Sequence, residues 1–381
     1  MTQRAGYAEN ATEESPSLWA ARAAVAERAV CSRHLRRTWA LPGTRLGAAH
    51  WPQTIGDRLH LHWNYWWQAH LLDCLVDAQL RQPNPGRAGT IDRLIRGVRI
   101  RNFGSWTNDY YDDIAWLGLA LLRASDCEGI AVGKQLAAIT AQLRAGWTDH
   151  GGGGIWWRRR DSFKNVPANG PAAILFARWA GDGGDRADRQ RARSMTEWME
   201  QLLVDPKTKL LWDGLYVEDD GSVREIVKIV YSYCQGVYIG SCVELAVGDT
   251  SGVWASRAER TIAAVATHLN DDGVLRGRGG GDGGLFAGIL ARYLAQAAVR
   301  LPALGAPQAG ATARRLVVAS AEAAWRNRAV ARGGPLFGPE WSQPAQVPRT
   351  ARHQRVERDL SVQLSGWMVL EAAAMLERFK D

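Results

Sequence analysis

Along this 381-residue chain, helical segments that are apolar on one face alternate with segments that are apolar on nearly every face. The one-faced segments fall at about 18–39, 90–103, 130–147, 186–204, 253–270 and 311–330. The all-round apolar ones fall near 71–78, 113–120, 171–180, 236–247, 285–299 and 361–379. A helix apolar on all faces is buried, whereas one with a polar face lies against solvent. Six such pairs predict an all-α (α/α)6 barrel of six inner and six outer helices. A two-domain helical bundle would share the periodicity, but no long Pro- or Ser-rich linker marks a boundary. Residues 17–381 are therefore expected to form one domain behind a polar tail at 1–16. Strand signals are few; a hairpin of 211–217 and 223–230 across Asp219-Asp220-Gly221 is the exception.

Several function classes fall away on composition. The net charge of +8 comes mostly from scattered arginines, and no basic run is interleaved with aromatics, so nucleic acid is not the expected partner. Five cysteines with no CxxC argue against a disulfide framework or a zinc ribbon and for buried free thiols. No apolar run reaches the ~18 residues of a membrane span. Residues 1–16 lack the apolar stretch of a signal peptide, which makes the cytoplasm the expected location. His60 and His62 lack a third ligand at a suitable spacing, and Asn270-Asp271-Asp272-Gly273 lacks a calcium-loop pattern, so neither metal nor cofactor is expected. Gly151–Gly154 and Gly277–Gly284 fit no phosphate-binding fingerprint and read as flexible loops at the barrel mouth. Trp156-Trp157-Arg158-Arg159-Arg160 reads as tryptophan packed under a solvated basic turn.

The unusual polar clusters stand just before the inner helices. They are His60–Trp67, Asn108–Asp113, Lys164–Pro171, Tyr231–Gly236 and Gly281–Gly284. Inner helices of such an alternation all point the same way, so their N-terminal ends meet at one mouth. Capping explains any one cluster; five at equivalent places predict a pocket. Its residue types suit a carbohydrate. The 18 tryptophans include several whose faces can stack on sugar C–H faces. Amides and carboxylates bind hydroxyls, and two carboxyls flanking a glycosidic bond do acid and nucleophile work. Asp112 and Asp113, adjacent at a helix start, suit the ~5–5.5 Å separation of a retaining enzyme. Two close carboxyls cannot ionise equally easily, so one keeps its proton and serves as the acid.

These pieces resemble glycoside hydrolase family 76, the endo-α-1,6-mannanases. The resemblance is carried by Tyr65-Trp66-Trp67-Gln68-Ala69-His70, Asn108-Asp109-Tyr110-Tyr111-Asp112-Asp113-Ile114-Ala115-Trp116, Lys164-Asn165 through Asn169-Gly170-Pro171, Tyr233-Cys234-Gln235-Gly236, and Asp282-Gly283 through Tyr293-Leu294. It implies an (α/α)6 barrel and retaining, endo-acting hydrolysis of α-1,6-mannosyl linkages in mannan or lipomannan-type glycans, with no metal. It implies Asp112 as nucleophile and Asp113 as acid/base. It places Trp66, Trp67, Tyr111, Asn165, Asn169, Tyr233, Gln235 and Asp282 on the substrate. Cys234 and Ala287 depart from the family pattern. Cys234, inside the quoted stretch, reads as pocket-lining. A mannosyl transglycosylase and a non-catalytic glycan-binding protein are the alternative readings.

Overall fold

The structure, a computed structural model, describes residues 17–180, 185 and 187–379; the expected tail at 1–16 and the start of the segment at Arg186 lie outside them. The long helices among the described residues are α1 (Leu18–His34), α2 (Tyr65–Arg81), α3 (Pro85–Arg101), α4 (Tyr111–Glu128), α5 (Gly133–Ala145), α6 (Val166–Trp179), α7 (Ala187–Leu203), α8 (Ser232–Ala246), α9 (Val253–His268), α10 (Phe286–Arg300), α11 (Pro307–Arg326) and α12 (Leu360–Arg378). The even-numbered helices pack each on the next, and α12 returns to α2, which closes an inner ring. The odd-numbered helices lie outside: α1 on α12, α3 on α2, α5 on α4, α7 on α6, α9 on α8 and α11 on α10. This is the expected (α/α)6 barrel. Its cause is visible in burial: α6 buries every residue from Val166 to Ala177, while α7 buries one side, including Met195, Trp198 and Met199.

Closing a ring of six helices needs close backbone approach. A Cβ on Gly288 of α10 would lie 2.7 Å from the Cα of Ser365 on α12. One on Gly170 of α6 would lie 2.4 Å from the Val237 side chain on α8. Gly288→Val is therefore expected to cost about 1–3 kcal/mol through overpacking. A urea midpoint unchanged from that of the parent protein would refute this.

Some boundaries differ from the sequence reading. Helix α1 stops at His34 because Leu35 and Arg36 pair antiparallel with Gly47 and Leu46. Helix α6 starts ahead of Pro171, since Asn165 caps it by accepting the Ala168 N–H at 3.1 Å. Pro171 then costs only one bond, to the carbonyl four residues back. The hairpin forms as β2 (Gly214–Val217) and β3 (Val223–Val227), with an unexpected third strand, β1 (Phe163–Asn165), beside β2. Register places Asn165 opposite Gly214 and Gly214 opposite Val227. Three residues are too few to show strand alternation in a sequence.

A repeat in letters also emerges. The fourth residue of α2, α6, α8 and α12 is an amide: Gln68, Asn169, Gln235 and Gln363. Each accepts the backbone N–H, and donates to the carbonyl, of one loop residue: Gly47, Ile155, Leu211 and Phe337 respectively, at 2.7–3.1 Å. These clamps satisfy buried loop backbone that would otherwise be costly to desolvate. At the opposite end of the ring, Arg292 pairs with Asp73 and Asp77 at 2.6 Å each, and Arg123 pairs with the same two carboxylates.

Candidate active site

The N-terminal ends of the inner helices do converge. They border a cleft of about 710 Å³. Helix α2 brings Trp66, α4 brings Asp112, Asp113 and Trp116, and the strand before α6 brings Asn165. Tyr231 and Tyr233 come from the start of α8, and Asp282 and Phe286 from the start of α10. The sheet adds Phe163, Tyr216 and Val227 to the rim. Five of the six repeats thus contribute. Much of the cleft lining is aromatic: the Tyr233 and Phe286 rings stack with centroids 4.0 Å apart, and the Trp66 ring lies 6.3 Å from that of Tyr233.

Asp112 and Asp113 sit in the first turn of α4. Asp112 accepts the Trp157 indole N–H at 3.0 Å and the Asp113 backbone N–H at 2.9 Å. Asp113 accepts the Asn108 amide at 2.6 Å, and Asn108 is itself held through its carbonyl by Gln142 of α5 at 2.6 Å. Burial pushes Asp112 up to about 7 despite those donors. Burial, and then the neighbouring Asp112 charge, hold Asp113 well above the usual carboxylate range. Both carboxyls have donors on their charged forms, but Asp113 also meets the Asp112 charge, so Asp112 ionises first and Asp113 keeps its proton.

Two further carboxylates face the pair. Asp282 accepts both the Trp66 and Trp67 indole N–H groups, at 3.0 and 2.9 Å. Asp213, in the loop before β2, is pushed up to about 7 by burial and by the Asp112 charge. Behind the cleft, the Lys164 ammonium is fully enclosed. It donates to the carbonyls of Thr148, His150, Gly153 and Gly154 and to the Thr148 hydroxyl, at 2.6–3.0 Å. The Gly151–Gly154 loop is thus wrapped on the buried Lys164 amine, which burial pushes down to about 7, instead of lying open at the mouth.

Of the residues expected on the substrate, Trp66, Asn165, Tyr233 and Asp282 line the cleft with Asp112 and Asp113. Four do not. Trp67 is 2% exposed and holds Asp282 from behind. Tyr111 is buried against Gly146. Asn169 and Gln235 are fully buried because they serve as loop clamps. Cys234 is also fully buried, so it is not pocket-lining, and burial pushes its thiol well above the ordinary range. Sequence reasoning gave no role to Asn108, Trp157 or Asp213. The basic turn packs over Trp157 only in part, since its indole reaches Asp112. Asp213 carries no local signal, since it stands alone in a loop.

The glycosyl hydrolase family 76 model matches residues 24–378. The chain belongs to glycosyl hydrolase family 76. Among curated relatives of this family 76 chain, the mannan endo-1,6-alpha-mannosidase DCW1 of Candida glabrata is 25% identical over 233 residues, covering 54% of this chain and 51% of that protein. The chain thus spans about half the length of the curated relatives it matches. The GH76A alpha-1,6-mannanase of Salegentibacter sp. HEL1_6 is 30% identical, with a TM-score of 0.82 over 94% of this chain and 99% of that one. An inactive variant of that enzyme, with two consecutive aspartates changed to asparagine and alpha-1,6-mannotriose bound, is 29% identical over the same shares, also at a TM-score of 0.82.

Proposed function

We propose that this family 76 protein is a retaining endo-α-1,6-mannanase. The observation that carries the proposal is the Asp112–Asp113 pair, two adjacent carboxyls whose surroundings push them to different proton affinities inside an aromatic, carboxylate-lined cleft. Asp112, ionised first, attacks the anomeric carbon. Asp113 delivers its proton to the departing glycosidic oxygen. A mannosyl ester of Asp112 results, and the polymer beyond the bond leaves as an alcohol. Asp113, now ionised, takes a proton from water, which attacks the same carbon and frees Asp112. Two inversions leave the product with the α configuration. Trp66, Tyr233 and Phe286 offer faces for stacking on sugar C–H groups, and Asp213, Asp282 and Asn165 offer acceptors for hydroxyls. Family membership supports the reading, as do the Salegentibacter mannanase and its inactivation at two consecutive aspartates.

The test is incubation with linear α-1,6-mannan, with products read by size and by anomeric NMR at early times. Short oligosaccharides formed first as the α-anomer are expected. A first-formed β-anomer would overturn the assigned roles. Transfer to an added sugar in preference to water would indicate a mannosyl transglycosylase. Binding without cleavage would indicate a glycan-binding protein.

A further inference from the structure

Asp113 borders a second cleft that Asp112 does not line. The second cleft, of about 450 Å³, runs outward from Asp113 past Asn64, Tyr65, Asn108 and Trp63 to Leu61. Beyond it lies an exposed aromatic cluster. The Arg101 guanidinium sits 5.1 Å from the Trp63 ring, 5.6 Å from Trp39 and 5.9 Å from Phe103. Arg101 also donates to the His60 carbonyl at 2.9 Å, and the Trp39 indole donates to the Leu59 carbonyl at 2.9 Å. Phe103 is 86% exposed and Leu61 62% exposed.

Large apolar side chains exposed together in one contiguous patch mark an interaction surface. The backbone supplies a second, independent observation. Trp39, Ala40, His60, Asn64 and Phe103 all have φ between +44° and +61°, a region that side-chain-bearing residues seldom adopt. Eight non-glycine residues among those described have positive φ, and five of them gather in this patch. Strain that clusters beside a catalytic cleft points to function. Here it aims two aromatic side chains outward around one arginine, and an arginine framed by ring faces suits an oligosaccharide, whose C–H faces stack and whose hydroxyls accept hydrogen bonds.

We propose that the Trp39–Trp63–Phe103 surface around Arg101 binds the mannan chain beyond the bond being cleaved, on its reducing-end side. Direction follows from Asp113. The acid protonates the leaving oxygen, so the cleft that Asp113 alone faces receives the leaving portion. The inference rests on the proposed mannanase activity, and it adds where a long substrate is held. Continuity of the surface with the Asp113 cleft argues for glycan over a protein or lipid partner.

The test is affinity electrophoresis of the full chain through gels containing linear α-1,6-mannan. Phe103→Gly is the informative variant, because glycine adopts φ +52° without strain and the fold is kept. Its apparent Kd for mannan is expected to rise about three- to tenfold, the size of one lost aromatic contact. The ratio of kcat/KM on mannan to that on α-1,6-mannotriose is expected to fall by a similar factor. Val330→Ser, an exposed apolar residue outside the patch, serves as control. Equal retardation of the variant and the parent, or none of the parent, overturns the proposal. Unchanged retardation with loss of binding to phosphatidylglycerol vesicles would overturn it in favour of a lipid surface. Failure of the catalytic reading is separate: the parent would be retarded but would not cleave.

Discussion

Asp112→Asn is expected to lower kcat/KM on linear α-1,6-mannan by about 10⁴-fold or more, because the proposed mechanism makes Asp112 the nucleophile and its loss removes the covalent step itself. Asp113→Asn is expected to cost about 10²–10⁴-fold, the range for a lost general acid. The fold should not suffer. Both carboxyls hold their protons to higher pH in the folded chain than in the unfolded one, where an aspartate titrates near its ordinary value. As pH rises, the unfolded chain releases these protons first. Stability from this source is therefore complete below the ordinary carboxylate range and is lost as pH rises through about 7, where Asp112 ionises. Asparagine carries no charge to bury. Thermal unfolding at pH 8 should therefore show Asp112→Asn more stable than the parent, by about 2 °C or more in Tm, with the difference vanishing toward pH 4. A variant that is inactive and also less stable at pH 8 would mean that Asp112 is structural, and the catalytic assignment would fall.

Lys164→Met is expected to destabilise the protein by about 2–4 kcal/mol, the cost of stripping the donor from a buried cage of acceptors. The five oxygens around the ammonium come from residues 148–154, and four of them are backbone carbonyls with their dipoles aimed inward. Methionine fills the volume but donates nothing, so the Thr148 and Gly153 carbonyls lose their donor, while those of His150 and Gly154 keep only the Gly153 and Thr148 N–H groups at 3.4 Å. Activity should fall as well, for a geometric reason. The loop leads directly into Trp157, whose indole stabilises ionised Asp112, and Lys164 adjoins Asn165 at the cleft. Urea unfolding measures the first effect. The pH profile of kcat/KM measures the second, since loss of the Trp157 donor raises the Asp112 pKa and moves the acid limb to higher pH. An unfolding free energy within about 1 kcal/mol of the parent's would show that water replaces the amine, and the cage would lose its structural meaning.

The barrel was readable because its cause is local. Whether a helix is apolar on one face or on all is written in about a dozen consecutive residues, and the alternation then orders the layers. Asp112 and Asp113 were readable for the same reason: adjacency in the chain guarantees adjacency in space. The direction of the inner helices placed Trp66, Asn165, Tyr233 and Asp282 at one mouth with them. What the sequence could not decide is which way a side chain turns once it is there. Gln235 and Asn169 have the chemistry of sugar ligands, yet they face loop backbone, because buried N–H and C=O groups at Leu211 and Ile155 required partners. Trp67 neighbours Trp66 but lies behind the wall, since consecutive helical residues do not share a face. Asp213 and Trp157 arrive from loops, whose paths are set by the sheet and by the Lys164 cage, not by any periodicity. Local patterning thus determined the fold and the Asp112–Asp113 pair, whereas loop paths and the need to satisfy buried backbone, both tertiary, decided which other side chains face the cleft.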